Sequence, residues 1–212
     1  GGTVAAYAVA GSSVRGTLVL DESKFTKQSL DAAADLFTVS DEKAFFLCDG
    51  AGGTGTSLAD ASSSLTEAYR ALQQGGTLVI CGKYTLTDTL QTLRNEKPVV
   101  ITSVYDGVDY AATNAAELIF KTNFFCGGDT EFRDIVLAAG GRYLSIYGNC
   151  HTLILGENIT TTRHEDSGTY LSVMGGNQSA VSNASSALTI NSGIWQRVRG
   201  GTAANGSKNY TV

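Results

Sequence analysis

Ala44-Phe45-Phe46-Leu47-Cys48, Asp49-Gly50-Ala51-Gly52-Gly53-Thr54-Gly55-Thr56, Ser64-Leu65-Thr66-Glu67 and Gly75-Gly76-Thr77-Leu78-Val79-Ile80-Cys81 follow one another in a single stretch of the chain. The first is a compact apolar strand and the second a glycine-rich loop. In the third, Ser64 and Glu67 stand three apart as a capping box, which marks a helix start. Leu65, Ala68, Tyr69 and Leu72 then form one apolar stripe at helical spacing. Gly75-Gly76 stops that helix, expected over residues 64–74, and a strand begins at once at Thr77. The order is strand, loop, short helix, strand.

Downstream of Gly76 no helical stripe follows. Short apolar stretches recur instead: Tyr84–Leu86, Val99–Thr102, Glu117–Phe120, Phe132–Leu137, Tyr143–Ile146, His151–Leu155, Tyr170–Met174, Ala187–Ile190 and Trp195–Val198. Gly, Asn, Asp or Ser separates most of them, and many alternate with period two. Hairpin dipeptides between matched strands are few. Strands this short and numerous read as an all-β solenoid, a parallel β-helix whose turns stack at ~4.8 Å. At roughly 20–25 residues per turn, residues 77–212 allow about six turns. The expected organisation is a β-helix over residues 44–212 with a capping helix at 64–74. Residues 1–43 form a separate N-terminal segment: a strand pair around Gly11-Ser12-Ser13, then a short helix with Leu30, Ala33, Ala34 and Phe37 on one stripe.

Composition agrees with many short strands. Hydrophobic residues make up 42% and charged residues 17% of the 212, which is too apolar for disorder and less charged than most globular chains. The only proline is Pro98, as an extended ladder requires, since each proline removes a backbone donor. A net charge of −5 provides no footprint for nucleic acid; the largest basic cluster is Arg197-Val198-Arg199. No apolar run approaches the ~20 residues of a membrane helix, so membrane insertion is not expected. No signal peptide is visible, although a leader removed ahead of Gly1 is compatible with the sequence.

The stretch Ala44 to Leu86 resembles the leading segment of secreted bacterial right-handed parallel β-helix proteins, the pectate-lyase-like superfamily. In that superfamily a strand leads into a DG-x-G-x-G loop, matched by Asp49-Gly50 through Gly55. A capping helix then covers the open end of the core, matched by Ser64 to Gln74, and a GGT-hydrophobic strand is matched by Gly75 to Ile80. Lys97-Pro98-Val99-Val100-Ile101-Thr102-Ser103, Gly127 to Ile135 and Ala187 to Gly201 look like further coils. The resemblance covers about three quarters of the chain and implies a right-handed fold. It says little of activity, because one scaffold hosts lyases, hydrolases, adhesins and inert stalks.

Asp129, Glu131 and Asp134, with Arg133 among them, are the best carboxylate cluster. Polysaccharide lyases hold Ca²⁺ with acidic side chains and use Arg or Lys as base. On a straight strand Asp129, Glu131 and Arg133 share one face and Asp134 points the other way unless the strand bends. The plainer reading, a solvent-facing edge, is preferred. Gly50-Ala51-Gly52-Gly53-Thr54-Gly55 also fits the G-x-G-x-x-G of dinucleotide binding, but the cap at Ser64 lies too far on to offer its helix N-terminus to a pyrophosphate. No cofactor is expected. His164-Glu165-Asp166 reads as a solvated loop and His151 as a half-buried packing residue. Tyr84, Tyr105, Tyr110, Tyr143, Tyr147 and Trp195 are candidates to stack on sugar rings. Asn158, Asn177, Asn183, Asn205 and Asn209 lie in glycosylation sequons, read as coincidences of composition. Cys48 and Cys81 each end an apolar strand and stand as either a disulfide or two buried thiols; Cys126 and Cys150 complete the set, without metal-site spacing.

The expected role is that of a non-catalytic extracellular module: stalk, adhesin or filament subunit. Asn209-Tyr210-Thr211-Val212 still reads as strand and no C-terminal cap is evident. Expected partners are therefore further coils or copies of the chain, with residues 1–20 completing a neighbour by strand addition, and cell-surface glycans. The alternative is a carbohydrate-active enzyme, lyase-like, using Asp129, Glu131, Arg133 and Asp134 on an acidic glycan.

Overall fold

The computed structural model describes residues 43–88, 94–177 and 186–201 and the backbone of Tyr210 and Thr211. The chain divides into two compact units between Asp41 and Glu42. The N-terminal strand pair and the helix around Leu30 lie outside the described residues.

The regular structure among the described residues is mostly strand, gathered into parallel sheets. The first sheet runs in the order β1 (Ala44–Leu47), β2 (Gly76–Ile80), β4 (Val99–Thr102), β9 (Thr130–Phe132), β12 (Thr152–Leu155), β15 (Ser186–Ile190) and β17 (Tyr210–Thr211). The second comprises β3 (Lys83–Leu86), β7 (Glu117–Phe120), β10 (Ile135–Ala139) and β13 (Ile159–Thr162). The third comprises β8 (Phe124–Phe125), β11 (Ser145–Tyr147), β14 (Ser172–Met174) and β16 (Arg197–Arg199). Every pairing within these three sheets is parallel. From β7 to β15 the chain visits second, third and first sheet in turn and then begins again.

Register aligns like with like. Phe45, Leu78, Ile101, Phe132, Leu155 and Ile190 stand opposite one another across the first sheet. Tyr84, Leu118 and Leu137 do so in the second, and Phe124, Ile146 and Val173 in the third. The three ladders face one core: Phe124 meets Phe120 edge-to-face at 6.3 Å and Phe132 at 5.6 Å, so one aromatic from each sheet shares a junction. Burying one such side chain is worth about 1.5–3 kcal/mol, which makes these ladders the source of register.

A single hairpin interrupts the parallel pattern among the described residues. β5 (Val104–Tyr105) and β6 (Val108–Asp109) pair antiparallel around Asp106-Gly107, both at positive φ, as a two-residue turn demands. It leads into a five-residue helix that the sequence reading missed. Asp109 caps the helix by accepting from the Ala112 N–H, and Ala115 closes it in the left-handed region. Tyr-Ala-Ala-Thr-Asn is too short to show a helical stripe. Tyr105 and Tyr110 from this excursion pack edge-on against Phe46, which explains why Phe46 and Val79, on the opposite face from Phe45 and Leu78, are also buried.

Half of the expected capping box forms. The Ser64 hydroxyl accepts from the Glu67 N–H at 3.2 Å, but the Ser64 N–H donates to the Ser62 hydroxyl, which in turn donates to the Glu67 carboxylate. The helix, α1 (Leu65–Ala71), ends earlier than residue 74 because the Leu72 N–H makes its last bond to the Ala68 carbonyl; the excursion helix (Tyr110–Asn114) is α2. The expected single strand from Phe132 to Leu137 is in fact two. Asp134 takes φ 48° and breaks it into β9 and β10, which belong to different sheets.

Candidate functional site

The corner between β9 and β10 is where the sequence-derived carboxylate cluster falls. Glu131 and Arg133 share a face, as alternation requires, and form an ion pair at 3.8 Å, their side chains 28% and 46% exposed. The bend at Asp134 turns that carboxylate along the sheet, where it accepts from the Asn158 amide at 2.7 Å. The Asp134 backbone is also committed: its carbonyl accepts from the Ser103 N–H and its N–H donates to the Glu157 carbonyl. A groove of about 460 Å³ runs past Val104, Glu131, Arg133, Asp134, Glu157 and Asn158.

Asp129 does not join this cluster. It precedes β9 at the opposite end of the strand, and its carboxylate accepts from the Thr152 N–H at 2.8 Å. The Asp129 carboxylate is thus engaged with the next strand's backbone, while Glu131 and Arg133 pair with each other. Among the described residues no three His, Cys, Asp or Glu side chains converge to hold a metal ion.

Glu157 and Asn191, which were not singled out from the sequence, line the groove together with Asn158, which the sequence marked only as a sequon. A signal existed: Asp134-Ile135 and Asn158-Ile159 are the same Asx-Ile step, and Ile135 pairs with Ile159 in register. Both Asx residues adopt positive φ, which Asn and Asp tolerate better than other side-chain-bearing residues.

The glycine-rich loop turns its amides inward. Gly53 N–H donates to the Ala61 carbonyl, Gly55 N–H to the Asp60 carbonyl, and the Gly55 carbonyl accepts from Phe46. A Cβ on Gly55, which has φ 79°, would lie 2.4 Å from the Phe45 ring. Thr54 and Thr56 hydroxyls donate to the Asp60 carboxylate and hold it below the usual carboxylate range. The loop thus packs on the outer edge of β1, and contact requires glycine at Gly53 and Gly55.

The other candidates disperse. His151 is half-buried, and burial lowers its imidazole from the usual value, with Asp129 opposing and Arg94 assisting. His164 Nδ1 accepts from the Ser167 N–H within its own turn. Of the six aromatics proposed to stack on sugars, Tyr84, Tyr110 and Tyr147 are buried and Tyr105 and Trp195 half-buried, whereas Tyr143 is 74% exposed. Tyr147 stacks on Phe125 at 4.7 Å, with rings 6° apart. Cys48, Cys81, Cys126 and Cys150 are free thiols. Asn183, Asn205 and Asn209 lie outside the described residues.

No protein-family model, curated protein or solved structure matches the chain. None of the helices among the described residues is long and apolar enough to cross a membrane.

Proposed function

We propose that this chain is a right-handed parallel β-helix serving as a non-catalytic extracellular structural or adhesive module. The cyclic return of the chain to three parallel sheets supports the winding. The observation that carries the functional reading is the use made of the polar side chains. Asp129 holds the Thr152 N–H, Asp49 holds both the N–H and the hydroxyl of Thr85, and Asp134 holds Asn158. Asn149 donates to the Cys126 carbonyl, and the Thr161 hydroxyl both donates to and accepts from the backbone of Ile194. Each bond joins segments 23 or more residues apart in the chain. Acid–base catalysis needs a carboxylate with lone pairs aimed at substrate, and these are aimed at the scaffold.

In this reading the module assembles end to end with copies of itself or with further coils, and meets cell-surface glycans. Ile194 and Val198 are 59% and 43% exposed, and β16 lies at an edge of its sheet; strand addition there covers apolar surface. Negative-stain imaging and light scattering over a range of concentrations test this. Filaments that Val198→Lys suppresses support assembly; monomers at every concentration count against it.

The groove and the exposed Arg133 favour a second reading, a lyase-like enzyme acting on an acidic glycan. Incubation with uronate polymers, with and without Ca²⁺, separates the two. Unsaturated product seen by ultraviolet absorbance and lost in Arg133→Ala overturns the non-catalytic reading.

A further inference from the structure

Cys48 directly follows β1 and Cys81 directly follows β2. Leu47 and Ile80 are paired in parallel register, and the Cys81 N–H donates to the Leu47 carbonyl at 3.1 Å. The ladder therefore extends one residue further and sets Cys48 beside Cys81, side chains on the same face. Neighbouring strands lie about 4.7–4.9 Å apart, inside the window of about 4.4–6.8 Å that a disulfide needs between Cα atoms. The Cys81 thiol donates to the Leu47 carbonyl and lies within hydrogen-bonding reach of the Cys48 thiol. A Cβ on Gly82 would fall 3.0 Å from the Cys48 Cβ, so the glycine after Cys81 leaves the Cys48 side chain its place.

We propose that Cys48 and Cys81 are a reversible redox pair which, when oxidised, staples β1 to β2. The segment between them carries the glycine-rich loop and α1, which bond to the outer edge of β1 and pack beside it. Oxidation thus closes that whole segment covalently, whereas the reduced form holds β1 by hydrogen bonds and by the packing of Phe45, Phe46 and Leu47. The oxidant is a low-molecular-weight disulfide. The half-buried Cys48, as thiolate, attacks it, forming a mixed disulfide and expelling one small thiolate. Cys81, as thiolate, then attacks the Cys48 sulfur, forming the intramolecular bond and expelling the second. Two protein thiols are oxidised, one small disulfide is reduced to two thiols, and the two protein protons pass to the departing thiolates. Burial holds the Cys81 thiol up at about 12, so its thiolate is scarce at neutral pH and the second step is slow.

The test is incubation of the full chain with oxidised glutathione, followed by alkylation under denaturing conditions and peptide mass mapping. The expected result is the loss of two alkylatable thiols, a linked peptide pair containing Cys48 and Cys81, and a closure rate that rises roughly tenfold per pH unit below pH 9. The oxidised chain melts several degrees higher than the reduced chain, and Cys48→Ser abolishes the difference while retaining the reduced chain's circular dichroism. Four alkylatable cysteines after oxidation, a bond to Cys126 or Cys150, or a persistent glutathione adduct on Cys48 would each overturn the assignment. If Cys48→Ser fails to fold, the peptide map of the unsubstituted chain decides alone.

Discussion

The Asp129 carboxylate accepts a hydrogen bond from the Thr152 backbone N–H at 2.8 Å, joining the turn that precedes β9 to the first residue of β12. One acid of the sequence-derived carboxylate cluster is thus engaged with the backbone of a neighbouring strand. Asp129→Ala should cost about 1 kcal/mol of stability. Asp129→Asn, which keeps an acceptor, should cost less. Thermal denaturation followed by circular dichroism measures both. Unchanged stability in Asp129→Ala together with loss of a lyase activity would restore the catalytic reading of this residue.

Gly148, Gly175 and Gly200 follow β11, β14 and β16 at matching positions. A Cβ on Gly148 would lie 2.4 Å from the Gly175 carbonyl oxygen, and one on Gly175 the same distance from that of Gly200. The Gly148 and Gly175 N–H groups continue the ladder to Met174 and Arg199. Gly175→Ala must therefore push two strands apart. The expected cost is about 2–3 kcal/mol, read as a lowered denaturant midpoint; an unchanged midpoint would show that the corner yields freely.

The Tyr69 hydroxyl on α1 is buried without a hydrogen-bond partner, and burial raises its ionisation well above the usual tyrosine value. An unsatisfied buried hydroxyl costs about 1–3 kcal/mol. Tyr69→Phe keeps the ring and removes that cost, so the variant should be as stable as the parent or up to about 2 kcal/mol more stable. A clear drop in melting temperature would reveal a bond made by this hydroxyl in solution.

Burial lowers the imidazole of His151 in the folded chain. The native state therefore prefers the neutral ring, and in the window below the unfolded value of about 6.5 the unfolded chain binds more protons. Stability from this residue is complete above that pH and is lost as pH falls through the lowered folded value. The parent's melting temperature should drop between about pH 7.5 and 5.5 more than that of His151→Gln. In Asp129→Asn the drop should steepen, since the carboxylate opposing the shift is gone. Parallel profiles for parent and His151→Gln would remove His151 from the account.

Much of this fold was legible in the chain because short-range rules wrote it. Ser64 caps a helix by accepting from the Glu67 N–H three residues on, and the apolar stretches at Val99–Thr102 and Glu117–Phe120 became strands with those very bounds. Elsewhere local pattern was too thin. Phe124-Phe125 and Ile159–Thr162 are strands the reading passed over, the first because two residues carry no period and the second because Thr160-Thr161-Thr162 lacks apolar alternation. The glycine columns were visible as Met174-Gly175 and Arg199-Gly200, yet their meaning depends on which residue stands opposite.

The sequence by itself determined that short strands dominate and that a capped helix interrupts them between Cys48 and Gly76. These follow from spacing and composition, which act along the chain. Only the tertiary structure decided that Asp134 would bend away from Glu131 and bond Asn158, that Asp129 would turn to Thr152, and that Cys48 would come to rest beside Cys81. Such outcomes are set by parallel register, and register arises from the fit of buried side chains such as Phe124 against Phe120 and Phe132, residues brought together across strands rather than along one.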